Sequence, residues 1–272
     1  MSLKILAQET LRILEEGGYV GPNGLRVDLR AAVAAAVDGS RLYPPEEVPT
    51  LPSFDARTET RLEVTAESTG EAARRLIQTE GEMHVAALNF ASARNPGGGF
   101  LTGAKAQEED LTRCSALYPC LIRQEAYYTA NRAFHSFHYT HHIIYSPDVP
   151  FFRDESLQLL DEPFPLSVIT APAPNAGEIL RRRPDDGSAI RRTLAERTAR
   201  VLSIAASQGH RTLVLGAWGC GVFRNDPSEV AATFAAALSA LPGAFDRVVF
   251  AVYDRRGDGP NLTAFRARFG TA

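Results

Sequence analysis

Two glycine-rich segments constrain this chain more than any other feature. The first is NPGGGFLTGAKAQEED, Asn95 to Asp110, and the second is GAWGCGVFRNDP, Gly216 to Pro227. Each follows a short apolar run suited to a buried strand, Val85–Phe90 and Thr212–Leu215, and each leads into a helical stretch. Strand, glycine loop and helix together are a unit of open α/β sheets, which bind ligands over the carboxyl ends of their strands. Glycine lets backbone amides approach an oxyanion closely, and a helix start adds partial positive charge. One such loop serves equally well as a tight turn. Two in equivalent positions can clasp a diphosphate between them.

The same alternation runs from about Arg61 onward. Strands are expected at Leu62–Ala66, Ile143–Tyr145, Leu166–Ala171 and Val248–Tyr253. Helices are expected at Thr69–Glu80, Gln107–Leu121, Ser188–Gln208 and Pro227–Leu241, with a short tail helix from about Asn261. This order predicts an α/β fold, a three-layer sandwich. Residues 1–60 read differently, as a helical N-terminal extension packed on a main domain of residues 61–272. One helix covers about Ser2–Glu16 and ends at Gly17-Gly18; Asp28 is placed to cap a second, Leu29–Val37. Pro44, Pro45, Pro49 and Pro52 then make an extended connector.

Composition removes several functional classes. With 44% hydrophobic and 22% charged residues the chain is an ordinary globular protein. Its net charge of −3 supplies no global field for a nucleic-acid backbone, so general nucleic-acid binding is not expected. Cys114, Cys120 and Cys220 form no CxxC pair and suit a reducing compartment. The opening MSLKILAQETLRILEEGGYV is an amphipathic helix rather than a signal peptide, and no apolar run approaches the ~20 residues of a membrane helix. A cytoplasmic protein without membrane association is expected. The familiar phosphate loops are absent: a GxGxxG starting at Gly219 ends on Arg224, and a P-loop starting at Gly98 has Ala104 where lysine is required.

Glu108-Glu109 follow Gln107 at the start of the predicted helix. Cleaving a glycosidic bond requires one group to protonate the leaving oxygen and a base to activate water. A neighbouring carboxylate and a bound diphosphate raise a carboxyl pKa, whereas a helix amino terminus lowers it. The sequence leaves open which effect wins. Taken alone, a Glu-Glu pair is most often solvated surface.

Here the pair has a context. Gly97-Gly98-Gly99, seven residues and then Gln107-Glu108-Glu109 resemble the signature of poly(ADP-ribose) glycohydrolases. The surrounding LNFASARNPGGGFLTGAKAQEE, the segment YSPDVPFFRD (Tyr145–Asp154) and GAWGCGVFRNDP are similar to the short, bacterial-type branch of that family, in the family's order. The resemblance implies a macrodomain-like α/β/α sandwich around a mixed sheet, with ADP-ribose in a cleft over the strand ends. It implies Glu109 as the catalytic carboxylate, Glu108 holding ribose hydroxyls and Gln107 orienting the pair. Asn95 would fix the loop or touch the terminal ribose, and Gly97, Gly98 and Gly99 would form the turn packed on that ribose and the diphosphate. Gly219, Cys220, Gly221 and Val222 would offer amides to the diphosphate, with Phe223 against the terminal ribose. Substrates would be poly(ADP-ribose) or ADP-ribosylated protein, the product ADP-ribose, and no metal or organic cofactor would be needed. A reader that binds ADP-ribose without hydrolysis and a hydrolase of single ADP-ribose units are the alternatives. The intact Gln107-Glu108-Glu109 favours an enzyme over a reader.

Other features are read as supporting structure. Cys220 has no histidine base in its motif and is taken as a small loop residue, not a nucleophile. His135, His138, His141 and His142 invite a zinc reading, but they lack further ligands in register and run into a buried strand. Packing and capping are expected of them. Arg181, Arg182, Arg183, Arg191 and Arg192 form a solvated helix approach, or else a patch that attracts a polyanion. Phe100, Tyr128 and Phe152 are candidates to cover an adenine.

Overall fold

The computed structural model describes residues 2–254 and 256–270. The chain begins with α1 (Leu3–Glu16), a small hairpin of β1 (Gly18–Val20) and β2 (Arg26–Asp28), α2 (Arg30–Gly39) and β3 (Arg41–Tyr43). Next come β4 (Arg61–Thr65), α3 (Thr69–Arg74), β5 (Val85–Phe90), α4 (Gln107–Cys114), α5 (Leu117–Ile122) and α6 (Glu125–Ala133). The second half holds β6 (Ile143–Arg153), β7 (Leu159–Ala171), α7 (Ala176–Arg182), α8 (Gly187–Ser207), β8 (Thr212–Leu215), α9 (Pro227–Ser239), β9 (Arg247–Ala251) and α10 (Pro260–Phe269).

Seven strands make one mixed sheet in the order β3-β6-β7-β5-β8-β9-β4. From β7 to β4 neighbouring strands are parallel, and β6 and β3 extend the sheet in antiparallel pairing. β8 and β9 are buried along their whole length, and β5 is buried up to its final Phe90. Strands covered on both faces need such near-continuous apolar sequence. One face packs Leu202, Phe234 and Phe265 of α8, α9 and α10. The other packs Leu76, Leu117, Leu121 and Tyr127. The arrangement is the expected α/β/α sandwich with a helical N-terminal segment.

Several local expectations are corrected. The expected helix Thr69–Glu80 is α-helical only to Arg74 and continues as a wider π-type turn, Arg75–Thr79, with Arg75 held between Glu67 at 2.7 Å and Glu80 at 2.6 Å. The expected helix Gln107–Leu121 breaks at Ser115, whose hydroxyl donates to Leu111 O at 2.7 Å and accepts from Leu117 N at 3.1 Å. Serine competes in this way with the helical ladder, and Ala116 N turns to Pro150 O of β6 instead. Asp28 is not the N-cap of α2; Leu29 holds that position, and the Asp28 carboxylate accepts from Arg30 N at 2.9 Å.

The short runs expected at 143–145 and 166–171 belong to a long hairpin whose strands pass through Pro147, Pro150, Pro163 and Pro165. Proline argues against a strand interior. It is accommodated here by register shifts between Ser146 and Val149 and between Phe151 and Arg153. The first 60 residues also supply more than helices. β3 pairs with Ile143–Tyr145 as the edge of the main sheet, and the Glu9 carboxylate of α1 meets the buried Arg153 at 2.8 Å. The proline connector is tied to α8 by Arg200, which donates to the carbonyls of Pro44, Pro45 and Glu47. Among the described residues no helix is long and apolar enough to cross a membrane.

Candidate active site

The loops following β5, β8 and β9 meet over the carboxyl end of the sheet and line a cleft of about 1040 Å³. This is at the upper end of the ~300–1,000 Å³ of small-molecule sites. Ser92, Asn95, Gly98, Gly99, Gln107, Glu108 and Glu109 line it from the first glycine loop. Gly219, Gly221, Val222 and Phe223 line it from the second, and Val252, Tyr253 and Asn261 from the end of β9 onward.

α4 is fixed to the sheet by its first residue. The Gln107 side chain accepts from Phe90 N at 2.8 Å and donates to Leu88 O at 2.7 Å and Thr69 Oγ1 at 3.1 Å. The end of β5 and the start of α4 are thereby locked together. From the other side the fully buried Arg113 binds Asp110 Oδ1 and Ala104 O, both at 2.6 Å. Glu108 and Glu109 are the second and third residues of α4, about 100° apart around the helix, and their long side chains both reach the turn at Gly98.

Both carboxyl groups converge on Gly98. A Cβ there would stand 2.4 Å from Glu109 Oε1 and 3.0 Å from Glu108 Oε2. Gly98 also has φ +59°, so glycine is required twice over. Glu109 Oε1 accepts from Gly99 N at 2.8 Å. Among the described residues its second oxygen has no hydrogen-bond donor. Glu108 lies deeper, 3% exposed; Oε2 accepts from Ser92 N at 2.6 Å and Oε1 from Asn89 Nδ2 at 3.3 Å. Burial pushes the Glu108 carboxyl up to about 8, and the Glu109 charge adds to the rise; amide hydrogen bonds from Ser92, Asn89 and Gly97 oppose it. Desolvation outweighs hydrogen bonding at this carboxyl.

The remaining expected residues have distinct placements. Gly97 is buried against Thr112 and is not part of the cleft wall. The Asn95 side chain is exposed at the rim, while its backbone carbonyl accepts from Gly98 N at 3.0 Å and its backbone N–H donates to Ser92 Oγ at 3.1 Å. In the second loop Gly219 packs against Ala173 and Asn225, whereas Gly221 borders open space. Val222 is 86% exposed. Cys220 Sγ turns to Trp218 O at 3.7 Å, and burial pushes its thiol up to about 12, so no thiolate is available.

Phe100, Tyr128 and Phe152 are fully buried and none lines the cleft, which corrects the expectation that one of them covers an adenine. Among the described residues Phe90, Tyr139, Phe151, Phe223 and Tyr253 are the aromatic residues there. Tyr139 has φ +58°, an unusual conformation for a bulky residue, and its ring packs 6.0 Å from that of Phe223. Sequence reading also missed Asn89 and Ser92, which hold Glu108. Their signal is weak: a polar residue in an otherwise apolar strand, and a serine two residues beyond its end. The histidines make separate contacts, His138 with Thr193, His141 with Glu196 and His142 with Thr140. Among the described residues no three metal-ligating side chains converge.

Comparisons with known proteins agree with this geometry. Residues 7–154 match the model of the microbial-type PARG catalytic domain. The poly(ADP-ribose) glycohydrolase of Thermomonospora curvata is 46% identical with a TM-score of 0.92, over 98% of this chain and 99% of that one. Its complex with the inhibitor ADP-HPD gives a TM-score of 0.89 at the same identity and coverage. The Deinococcus radiodurans enzyme in complex with ADP-ribose is 49% identical with a TM-score of 0.78, over 87% of this chain and 96% of that one. No curated protein matches. A cleft built between two glycine loops, a Gln-Glu-Glu helix start locked to the central strand, and this extent of shared sequence and structure place the chain in the microbial-type poly(ADP-ribose) glycohydrolase family.

Proposed function

We propose that this protein hydrolyses the ribose–ribose O-glycosidic bonds of poly(ADP-ribose) and releases ADP-ribose, with Glu109 as the acid and base. The observation that carries this reading is the convergence of Glu108 and Glu109 on Gly98 inside a cleft walled by two glycine loops. A binding module has no use for two carboxyl groups brought together at such cost in desolvation and repulsion.

In the proposed reaction the terminal diphosphate lies between the Gly98-Gly99 turn and the Gly219–Val222 loop, where backbone amides meet its charge. The carboxyl pair carries one proton between two interacting sites, and Glu109 passes it to the 2′-oxygen of the departing ribose as the bond from that oxygen to C1″ breaks, the electron pair leaving with the oxygen. An oxocarbenium-like centre develops at C1″. A water attacks this centre and yields its proton to Glu109, which restores the acid. Glu109 suits proton transfer because it is the more accessible of the pair and has one oxygen without a protein donor. Glu108 already accepts two hydrogen bonds, and its carboxyl group keeps lone pairs for a ribose hydroxyl. Acid–base help of roughly 10²–10⁴-fold and positioning supply the acceleration.

The test is chromatography of products after incubation with labelled poly(ADP-ribose). The reading expects ADP-ribose to accumulate as polymer is consumed. Intact polymer in stable complex with the protein would make it a reader. Intact polymer together with release from a singly ADP-ribosylated protein would make it a hydrolase of single units.

A further inference from the structure

Arginines collect at the rim beside Asn95: Arg94 lines the cleft, and Arg132 and Arg182 lie next to it outside the lining. The Arg94 guanidinium lies 5.9 Å and that of Arg182 4.4 Å from the centre of the Phe137 ring, so two separate segments meet on one phenyl group. Arg132 of α6 joins them by donating to Arg94 O at 3.1 Å. Glu178 pairs with Arg181 at 2.7 Å and Arg182 at 3.7 Å, and Asp186 with Arg183 at 3.8 Å. Among the described residues Arg94 and Arg132 have no carboxylate partner. Positive charge is thus in local excess on a chain whose net charge is −3.

The place of this excess is informative. Arg94 stands two residues after Ser92, whose amide holds Glu108 Oε2. Tyr139, two residues after Phe137, lines the cleft and packs on Phe223. Asn175 N donates to Phe137 O at 2.9 Å, which ties the rim to the base of α7. Arg94 therefore borders the cleft close in sequence to the residue that holds Glu108, and Arg132 and Arg182 are joined to it through its carbonyl and through the Phe137 ring.

We propose that Arg94, Arg132 and Arg182 bind the diphosphate of the ADP-ribose unit adjoining the one held in the cleft. Guanidinium groups suit this ligand because their planar forks bind phosphate oxygens in pairs. The inference rests on the glycohydrolase reading, since only a polymer presents a second diphosphate at this position. It makes affinity for polymer exceed affinity for free ADP-ribose, and makes that excess sensitive to salt.

The experiment measures binding in the Glu109→Gln protein, which leaves polymer uncut. Arg132→Ser and Arg182→Ser are added together, and affinities for defined-length polymer and for free ADP-ribose are measured by calorimetry. Polymer affinity is expected to fall roughly tenfold, as for two partly exposed charge contacts. Its salt dependence should flatten and ADP-ribose affinity should stay unchanged. Arg132→Lys with Arg182→Lys should recover part of the loss together with its salt dependence, whereas a packing role for Arg182 on Phe137 would leave the salt dependence unchanged in every variant. Unchanged polymer affinity, an equal fall for both ligands, or no recovery with lysine would overturn the proposal. Failure of the glycohydrolase reading would show separately, as polymer left intact by the unsubstituted protein.

Discussion

Replacing Gly98 with alanine perturbs both carboxyl groups through one methyl group. The new Cβ would stand 2.4 Å from Glu109 Oε1 and 3.0 Å from both Glu109 Cδ and Glu108 Oε2, so the Glu109 carboxylate must retreat by about 1 Å to reach ordinary contact. Retreat stretches the 2.8 Å bond from Gly99 N, a charge-assisted interaction worth roughly 1.5–3 kcal/mol. Alanine at φ +59° adds roughly 1–2 kcal/mol of backbone strain. Together these predict destabilisation of about 2.5–5 kcal/mol and a fall in Tm of roughly 5–10 °C. The effect on rate should be larger, because a 1 Å misplacement of a reacting group costs about 10²-fold. Thermal melts by circular dichroism and initial rates on labelled polymer measure the two effects independently. A folded Gly98→Ala protein with wild-type turnover would refute the argument that this turn positions the acid.

Two further outcomes separate the roles of neighbouring residues. Gly221→Val adds a side chain where nothing lies within 4 Å, so the fold should be unaffected while ADP-ribose affinity measured by calorimetry drops at least tenfold; unchanged affinity would remove this loop from the diphosphate site. Glu108→Gln tests the buried carboxyl. Its pKa is raised from 4.5 to about 8 on folding, so its contribution to stability is fully present below pH 4.5 and is lost as pH rises through about 8. Glutamine removes that loss, by at most about 5 kcal/mol at 1.36 kcal/mol per pKa unit. The variant should gain stability over the wild type between denaturant titrations at pH 5.5 and pH 8.5, and a difference independent of pH would contradict the burial argument.

The central sheet was legible because β5, β8 and β9 are short and mostly apolar, the pattern that double-sided burial demands. The long β6–β7 hairpin was not, because prolines that argue against a strand are accommodated by register shifts visible only in pairing. β3 was equally hidden: three residues next to a proline connector carry no periodicity, and their partner lies 100 residues away. At the site, Glu108, Glu109 and the Gly98 turn could be found from spacing and resemblance. The partners that hold Glu108 could not, since Asn89 and Ser92 act through a buried side chain and a backbone amide. The aromatic lining was misjudged for a physical reason. Phe100, Tyr128 and Phe152 lie inside the core, and Tyr139 reaches the cleft through a backbone conformation that no sequence pattern announces.

The most direct test of the account is the turnover of Glu109→Gln on labelled poly(ADP-ribose), measured beside its affinity for ADP-ribose. The amide keeps the shape of the side chain and can neither give nor take the proton. The account predicts ADP-ribose affinity close to wild type and a rate of ADP-ribose release lower by at least ~10²-fold. Retention of more than roughly a tenth of wild-type activity, above what loss of an acid–base group permits, would contradict the assignment of Glu109.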